Sequence, residues 1–552
     1  MHLLDSLGKS DFEAISLLHE QSIAIAAESY ANTSGKAGVA LVTTGPGGTN
    51  AVTGCLAAYL DSSPVFFLSG QVKTDDLKSR YGVRSLGSQE ADIVSIVTPI
   101  TKYAVMLTDK NQVKYELEKA WSLMTSGRKG PVWLDIPLDI QGADIDISTL
   151  EGYVPVEKNL TADVTPIIIA LNNSKHPVII AGNGLSDCKN EFLELTEKLN
   201  IPIIPTWKAM DYIPNSHELY AGRAGGMGDR HGNLAMQNAD FLLCLGTRLD
   251  FSITGYDRSQ WAEKATKIVV DIDETEIAKL DGSTNIVPII ADVTDVVSQL
   301  LKYDFQINVS KWKNQIAVWK EKYPIVSEEN KLTTVALVKS ISKYLQEGAF
   351  VAPCSAGTTA EIFFQAYEVK QNQTVRSNHG LGSMGFEIPN AIGMYFAGGK
   401  DVVCVAGDGG MQLNIQELAV IVARKLPIKI FVVSNNGYAS IRNMQNNYFT
   451  GNYVGCDENS GLYLPNLEKL STAYGLKYFS LNDFSSLDKT VEEIINLHEP
   501  IICEVFVEGD CLVSPRTATQ VLPDGSMRSS RLENQFPFLS EEEVAENMKI
   551  SD

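Results

Sequence analysis

Two rhythms of apolar and polar residues alternate along the chain. Short apolar runs closed by Gly, Pro, Asn or Asp read as buried strands, and the stretches between them carry apolar residues at helical spacing. In the first third the strand-like runs are VALVTT, PVFFLSG and PVWLDIP. In the middle third they are PVIIAGNG, IPIIP, FLLCLGTR and KIVVDID, and in the last third AFVAP, DVVCVAGDGG, IKIFVVSNN and PIICEVFV. Strands alternating with helices predict parallel sheets covered by helices on both faces. The fold class expected is therefore α/β, with three doubly wound parallel-sheet domains at 1–150, 160–305 and 333–512. Linkers fall near Gly142–Asp163 and Tyr303–Thr333, and a tail at 513–552, rich in Pro, Ser and charge, carries the apolar patch FPFL.

Composition narrows the function classes. The 552 residues are 44% apolar and 20% charged, with a net charge of −21. An acidic chain repels phosphate backbones and anionic lipid, so neither nucleic acid nor a membrane surface is an expected partner. No apolar run is long enough to span a bilayer. The start, MHLLDSLGKSD, lacks a basic region followed by an apolar core, so no signal peptide is expected. The eight cysteines include no CxxC pair, and Cys244 and Cys404 sit inside apolar runs. That pattern predicts reduced, buried thiols in a cytoplasmic protein, without a disulfide frame or a zinc site.

The densest chemistry lies in AGDGGMQLNIQELAVIVARKLPIKIFVVSNNGY. One strand ends in Gly407, Asp408 and Gly409; a helical pattern with a carboxylate follows; a second strand ends in Asn435 and Asn436. Ligands of open parallel sheets bind at the carboxyl ends of strands, so Asp408 and Asn436 are predicted to face one point. A carboxylate, an amide oxygen and phosphate oxygens suit a hard cation such as magnesium. The glycines let backbone N–H groups approach a diphosphate, with a helix N-terminus behind it. A glycine-flanked aspartate alone is common in turns; the ordered series strand, GDG, helix, strand, NN is the specific signal.

That series resembles the signature of thiamine-diphosphate enzymes, and the resemblance covers nearly the whole chain. HEQSIAIAAESYA, TTGPGGTNAVTG, SQEADI with ITKY, GPVWLDIPLDIQ, LGTRLD, VVDIDETEI, GLGSMGFEIPNAIG and GDGG…NN are similar, in order and spacing, to the acetolactate synthase large-subunit family. The resemblance implies a pyrimidine-binding first domain, a central FAD-type domain and a diphosphate-binding third domain. It implies thiamine diphosphate and Mg2+ as cofactors and leaves FAD open. Asp408, Asn436 and the carbonyl of Tyr438 would hold the metal. Glu20 would activate the aminopyrimidine, with Gln89 and Lys102 at polar positions near the active site. Pro46, Gly47, Asn50, Gly357, Thr358, Gly409, Gly410 and Gly437 would contact the cofactor, and Met384 would prop it into a bent shape. Gly182, Gly184, Arg248 and Asp273 match the flavin pattern, which is degraded where Ser252 replaces the family's arginine.

Other positions depart from the family. The chain starts late, which would remove a first strand. Ser88 and Met444 stand where the family has aromatic residues, and Gly357–Thr358–Thr359–Ala360 replaces Gly-Gln-His-Gln. A pocket without two rings admits a larger acceptor. The resemblance thus implies an enzyme decarboxylating pyruvate and passing the two-carbon unit to a second pyruvate or 2-oxo acid, as in branched-chain amino acid synthesis. Two alternatives stay open: transfer to a keto-sugar nucleotide, suggested also by the tail, and a non-catalytic cofactor-binding subunit. The partners implied are pyruvate, an acceptor and further copies of the chain, as a homodimer or homotetramer.

Overall fold

The computed structural model describes residues 1–156, 161–509, 512–521, 524 and 526–550. Three parallel sheets organise them. In the first, β1 (Gly38–Val42), β2 (Val65–Gln71), β3 (Tyr103–Met106) and β4 (Val132–Pro137) lie in the order β1-β2-β4-β3. In the second, β5 (Pro177–Ala181), β6 (Ile203–Pro205), β7 (Phe241–Leu245), β8 (Thr266–Asp271) and β9 (Ile286–Ile290) lie in the order β6-β5-β7-β8-β9. The third contains β10 (Phe350–Pro353), β11 (Thr374–Val375), β12 (Val402–Gly407), β13 (Ile428–Ser434), β14 (Lys477–Leu481) and β15 (Ile501–Phe506), in the order β11-β10-β12-β13-β15-β14. Every ladder in these three sheets is parallel. The α/β class and the three-sheet division expected from the sequence are the observed architecture.

Central strands are mostly apolar because helices cover both faces; β4, β5 and β7 are buried throughout, Asp135 of β4 included. The sequence reading missed β3, β9, β11 and β14, all at sheet edges. An edge strand buries fewer side chains: KYFSL carries no continuous apolar run, and YAVM, though apolar, is short and only half-buried. The seven described cysteines are free and buried. Among the described residues no helix is long and apolar enough to cross a membrane.

Five helices position the site. They are α1 (Glu20–Ser34), α2 (Val52–Leu60), α3 (Gly357–Ala366), α4 (Glu387–Phe396) and α5 (Ala439–Phe449). The first begins at His19, whose Nδ1 accepts the Gln21 N–H, and ends at Gly35 in the left-handed conformation. Small residues let it run close to its neighbours. A Cβ on Gly54 of α2 would lie 2.4 Å from the Ala24 Cβ, and one on Gly393 of α4 would lie 2.4 Å from the Ala26 carbonyl oxygen. Helix α1 is thus held between its own domain and the third. The tail returns over the middle domain through Gln535 to Gly228, Glu533 to Gln237 and Asn547 to Trp319.

Candidate active site

In the third sheet the loops after β10, β12 and β13 lie side by side at the strands' carboxyl ends. Asp408 follows β12 and is buried. Its Oδ1 accepts the Gly409 N–H at 2.7 Å, and its Oδ2 accepts those of Asn435 and Gly437, both at 3.0 Å. Burial pushes the carboxyl above its ordinary value, and the three N–H groups work against that shift. Asn436 projects into solvent from a left-handed backbone, φ 62°. Tyr438 is the residue just ahead of α5; its carbonyl accepts the Arg442 N–H, leaving a second lone pair, and its ring lies against Gly409, where a Cβ would sit 2.4 Å away.

Two further elements complete this cradle. Gly357 opens α3 with φ 79°, the helix has no side-chain cap, and a Cβ on Gly357 would meet only open space. Thr358 follows it, buried. The Met384 loop reaches the same place: a Cβ on Gly385 would meet Leu413 and Asn414 and lie 3.4 Å from the Gly410 carbonyl. The segment after GDGG is not a plain helix. Residues Met411–Glu417 form a 3-10 turn kinked at Asn414 before Leu418–Ala423 continues as α-helix.

The first domain supplies a second cluster. Glu20 is half-buried at the start of α1, and its Oε2 accepts from Asn50 Nδ2 at 3.0 Å. Pro46 opens the short helix Pro46–Asn50, and a Cβ on Gly47 would sit 3.6 Å from the Glu20 carboxyl. Gln89 closes over this loop with φ 65°: its carbonyl accepts the Thr44 hydroxyl and leaves room only for a glycine at 45, whose Cβ would approach within 2.6 Å. The structure therefore gathers Glu20, Pro46, Gly47, Asn50 and Gln89.

Lys102 does not join them. It precedes β3, at the amino end of a sheet whose carboxyl end carries the Glu20 cluster. Its ammonium donates to the Ser126 carbonyl at 2.7 Å, and burial lowers it to about 8. Within one chain Lys102, the lysine of ITKY, does not reach Glu20, because a parallel crossover returns the chain to the opposite end of the sheet.

Sequence reasoning also missed the groups that tie the two clusters together. Glu417 is fully buried, and its carboxylate accepts the N–H groups of Leu18 and His19, just ahead of Glu20. Asn414 accepts the Ser22 hydroxyl at 2.8 Å and donates to the Gly385 carbonyl at 2.7 Å. The helix bearing Glu20 is thus bolted to the loop bearing Met384. Neither residue stands out in the sequence, because the alternation of NIQELAV reads as an ordinary amphipathic helix.

The middle domain holds a separate cleft at the carboxyl ends of β5 and β7, where the strand order reverses. Gly184 and Arg248 line it. Gly182 sits behind it, with room for no Cβ beside the Gly246 carbonyl, 2.3 Å away. Arg248 donates to the Leu60 carbonyl and its Nε lies 3.5 Å from Glu276. Asp273 caps the next helix and lies 3.4 Å from Arg128. His379 stacks on Trp207 at 4.2 Å and reaches Ser252. Asp250 turns inward to cap Phe251–Thr254.

Comparison with known proteins agrees with this division. Residues 1–96 match the thiamine pyrophosphate enzyme N-terminal TPP binding domain, 164–300 the central domain, and 355–505 the C-terminal TPP binding domain. The acetolactate synthase large subunit of Lactococcus lactis is 33% identical over 515 residues, 90% of this chain and 86% of that one. A probable acetolactate synthase large subunit of Methanococcus aeolicus is 30% identical over 95% of this chain and 89% of its own. That of Corynebacterium glutamicum is 31% identical over 90% and 81%. With all three domains matched and the site's loops in place, this chain belongs to the acetolactate synthase large-subunit family of thiamine pyrophosphate enzymes.

Proposed function

We propose that the protein decarboxylates pyruvate on thiamine diphosphate and joins the two-carbon unit to a second 2-oxo acid. The observation that carries this reading is the convergence of Asp408, Asn436, Tyr438, Gly357 and the Met384 loop at three adjacent strand ends. The residues fit the cofactor. Open space in front of Gly357 and Gly407 admits a diphosphate, and the uncapped start of α3 offers it free N–H groups. Among the described residues no group of three carboxylates, imidazoles or thiolates could hold a metal alone. Mg2+ would bind Asp408, Asn436 and the Tyr438 carbonyl only together with diphosphate oxygens.

The cofactor, when bound, supplies the carbon nucleophile and the electron sink. The chain does the rest. Three N–H bonds aim the Asp408 carboxylate, Glu20 would hold a proton for the aminopyrimidine ring, and Gln89 with the GPGG loop forms the wall beside Glu20. Met384 would support the bound cofactor from the third domain. Met444 and Ser88, in place of aromatic residues, leave room for a bulky acceptor, which supports a second reading: transfer to a keto-sugar. Incubation with pyruvate, thiamine diphosphate and Mg2+, with and without keto-sugars, followed by product identification, separates the two. No product from pyruvate under either condition overturns both.

We further infer that two chains share each site. Helix α5, beside the metal loop, buries only Ala439, while Ile441, Met444, Tyr448 and Phe449 are exposed. Tyr81, Val83 and Leu86 of the first domain are exposed as well. Association of two copies would cover both faces and complete the wall around Glu20. A fully active monomer in light scattering overturns this. The middle cleft, with its strand-order reversal, close glycines and Arg248, fits FAD. Visible flavin absorbance in the purified protein tests that assignment.

A further inference from the structure

Glu387 is the first residue of α4 and is 1% exposed, yet neither of its carboxyl oxygens has a hydrogen-bond partner on any other residue. The elements packed around it are α1, β10, β12 and the Met411–Glu417 turn. None of these elements carries a Lys or Arg. Their titratable groups, with Cys354 just past β10, are Glu28, Tyr30, Cys354, Cys404 and Glu417, besides Glu20 at the far start of α1. Burial holds both thiols neutral. Glu28 is engaged by Ser63 and Asn378, and Glu417 by backbone N–H groups. From α3, Glu361 acts on Cys354. No cation on these elements faces the carboxylate, and burial, opposed only by its own backbone N–H, raises the Glu387 carboxyl to about 7.

One direction is open. A Cβ on Gly410 would lie 3.2 Å from Glu387 Oε1, so the carboxyl sits directly beneath the last glycine of GDGG with no side chain between. The site assigned above places the diphosphate on the loop that contains Gly410. A carboxylate there would repel the diphosphate, whereas a carboxylic acid would offer it a proton. We propose that Glu387 binds the cofactor as a neutral acid, donating its O–H to the diphosphate through the gap at Gly410. This rests on the thiamine-diphosphate reading and adds a donor to it. Cofactor binding then takes up a proton wherever free Glu387 is ionised.

Titration calorimetry of the full-length chain with thiamine diphosphate and Mg2+, in two buffers of different ionisation heat, measures that proton directly. Above about pH 8 the wild type is expected to take up about one proton more per site than Glu387→Gln, and its Kd to weaken about tenfold per pH unit above about 7 while the variant's does not follow it. Glu387→Leu, which fills the space but cannot donate, is expected to bind about tenfold or more weakly near pH 6. Melting of each variant without cofactor shows whether it folds; if the leucine variant does not, the glutamine variant decides. Equal proton uptake and equal pH dependence in wild type and Glu387→Gln overturn the proposal alone. A wild type that binds no thiamine diphosphate overturns both it and the reading beneath it.

Discussion

Glu20 and Asp408 are both carboxylates near one cofactor, and their different neighbours give them different work. Asp408 is pinned by three N–H groups, whereas Glu20 keeps one oxygen on Asn50 and the other toward the Gly47 loop. Glu20→Gln is expected to keep cofactor binding and to slow hydrogen exchange at the cofactor's thiazolium carbon by about 10²–10⁴-fold, the usual worth of a general acid–base. Exchange as fast as in the wild type would remove Glu20 from that role. Asp408→Ala removes the only buried carboxylate of the metal loop and is expected to abolish Mg2+-dependent retention of the cofactor on gel filtration. Asp408 was legible in the sequence because it sits in a glycine-marked loop at a strand end, and Glu20 because HEQS followed by the GPGG loop resembles the family. Glu387 and Glu417 were not, since each lies in a helical pattern where a glutamate reads as the solvated face, and only the fold shows that face turned inward.

Helix α1 is positioned more by the third domain than by its own intrinsic propensity. Glu417 accepts the N–H groups of Leu18 and His19, and Asn414 holds Ser22. Glu417→Ala leaves those half-buried donors without their carboxylate, a loss of about 1 kcal/mol, and shifts the start of α1. The expected signature is a larger fall in the rate of thiazolium exchange than in cofactor affinity, since the diphosphate contacts are untouched. A fall in affinity alone would mean that Glu417 serves only the fold. On α5, Met444→Trp is expected to lower the ratio of bulky-acceptor product to acetolactate-type product, because an added ring in a pocket costs about 1–3 kcal/mol against large ligands. An unchanged ratio places Met444 outside the acceptor pocket. The helices and central strands were readable as periodic runs; the 3-10 kink at Asn414 was not, because its cause is a partner some 390 residues away in sequence.

All three domains meet at one buried polar cluster. Glu28 of α1 accepts from Ser63 and Asn378; Asp61 accepts from Asn378 and pairs with Lys208 at 2.9 Å; Arg376 pairs with Asp211. Burial and then the Asp61 charge push the Glu28 carboxyl from 4.5 up to about 8. The native state therefore keeps a proton that the unfolded chain loses. Its contribution is fully favourable below about pH 4.5 and is lost as pH climbs toward 8. Glu28→Gln is expected to flatten that part of the pH dependence of Tm, and an unchanged slope in the wild-type-minus-variant difference would contradict it. The junction has an evolutionary corollary. Lineages that exchange first domains by recombination inherit half of a lock: an incoming helix with its Ser22 and its unsatisfied N–H groups meets whatever the resident turn offers at positions 414 and 417. Functional hybrids should then be recovered mainly when the crossover carries that turn along with the helix, so the heritable module here is a pair of segments far apart in the gene.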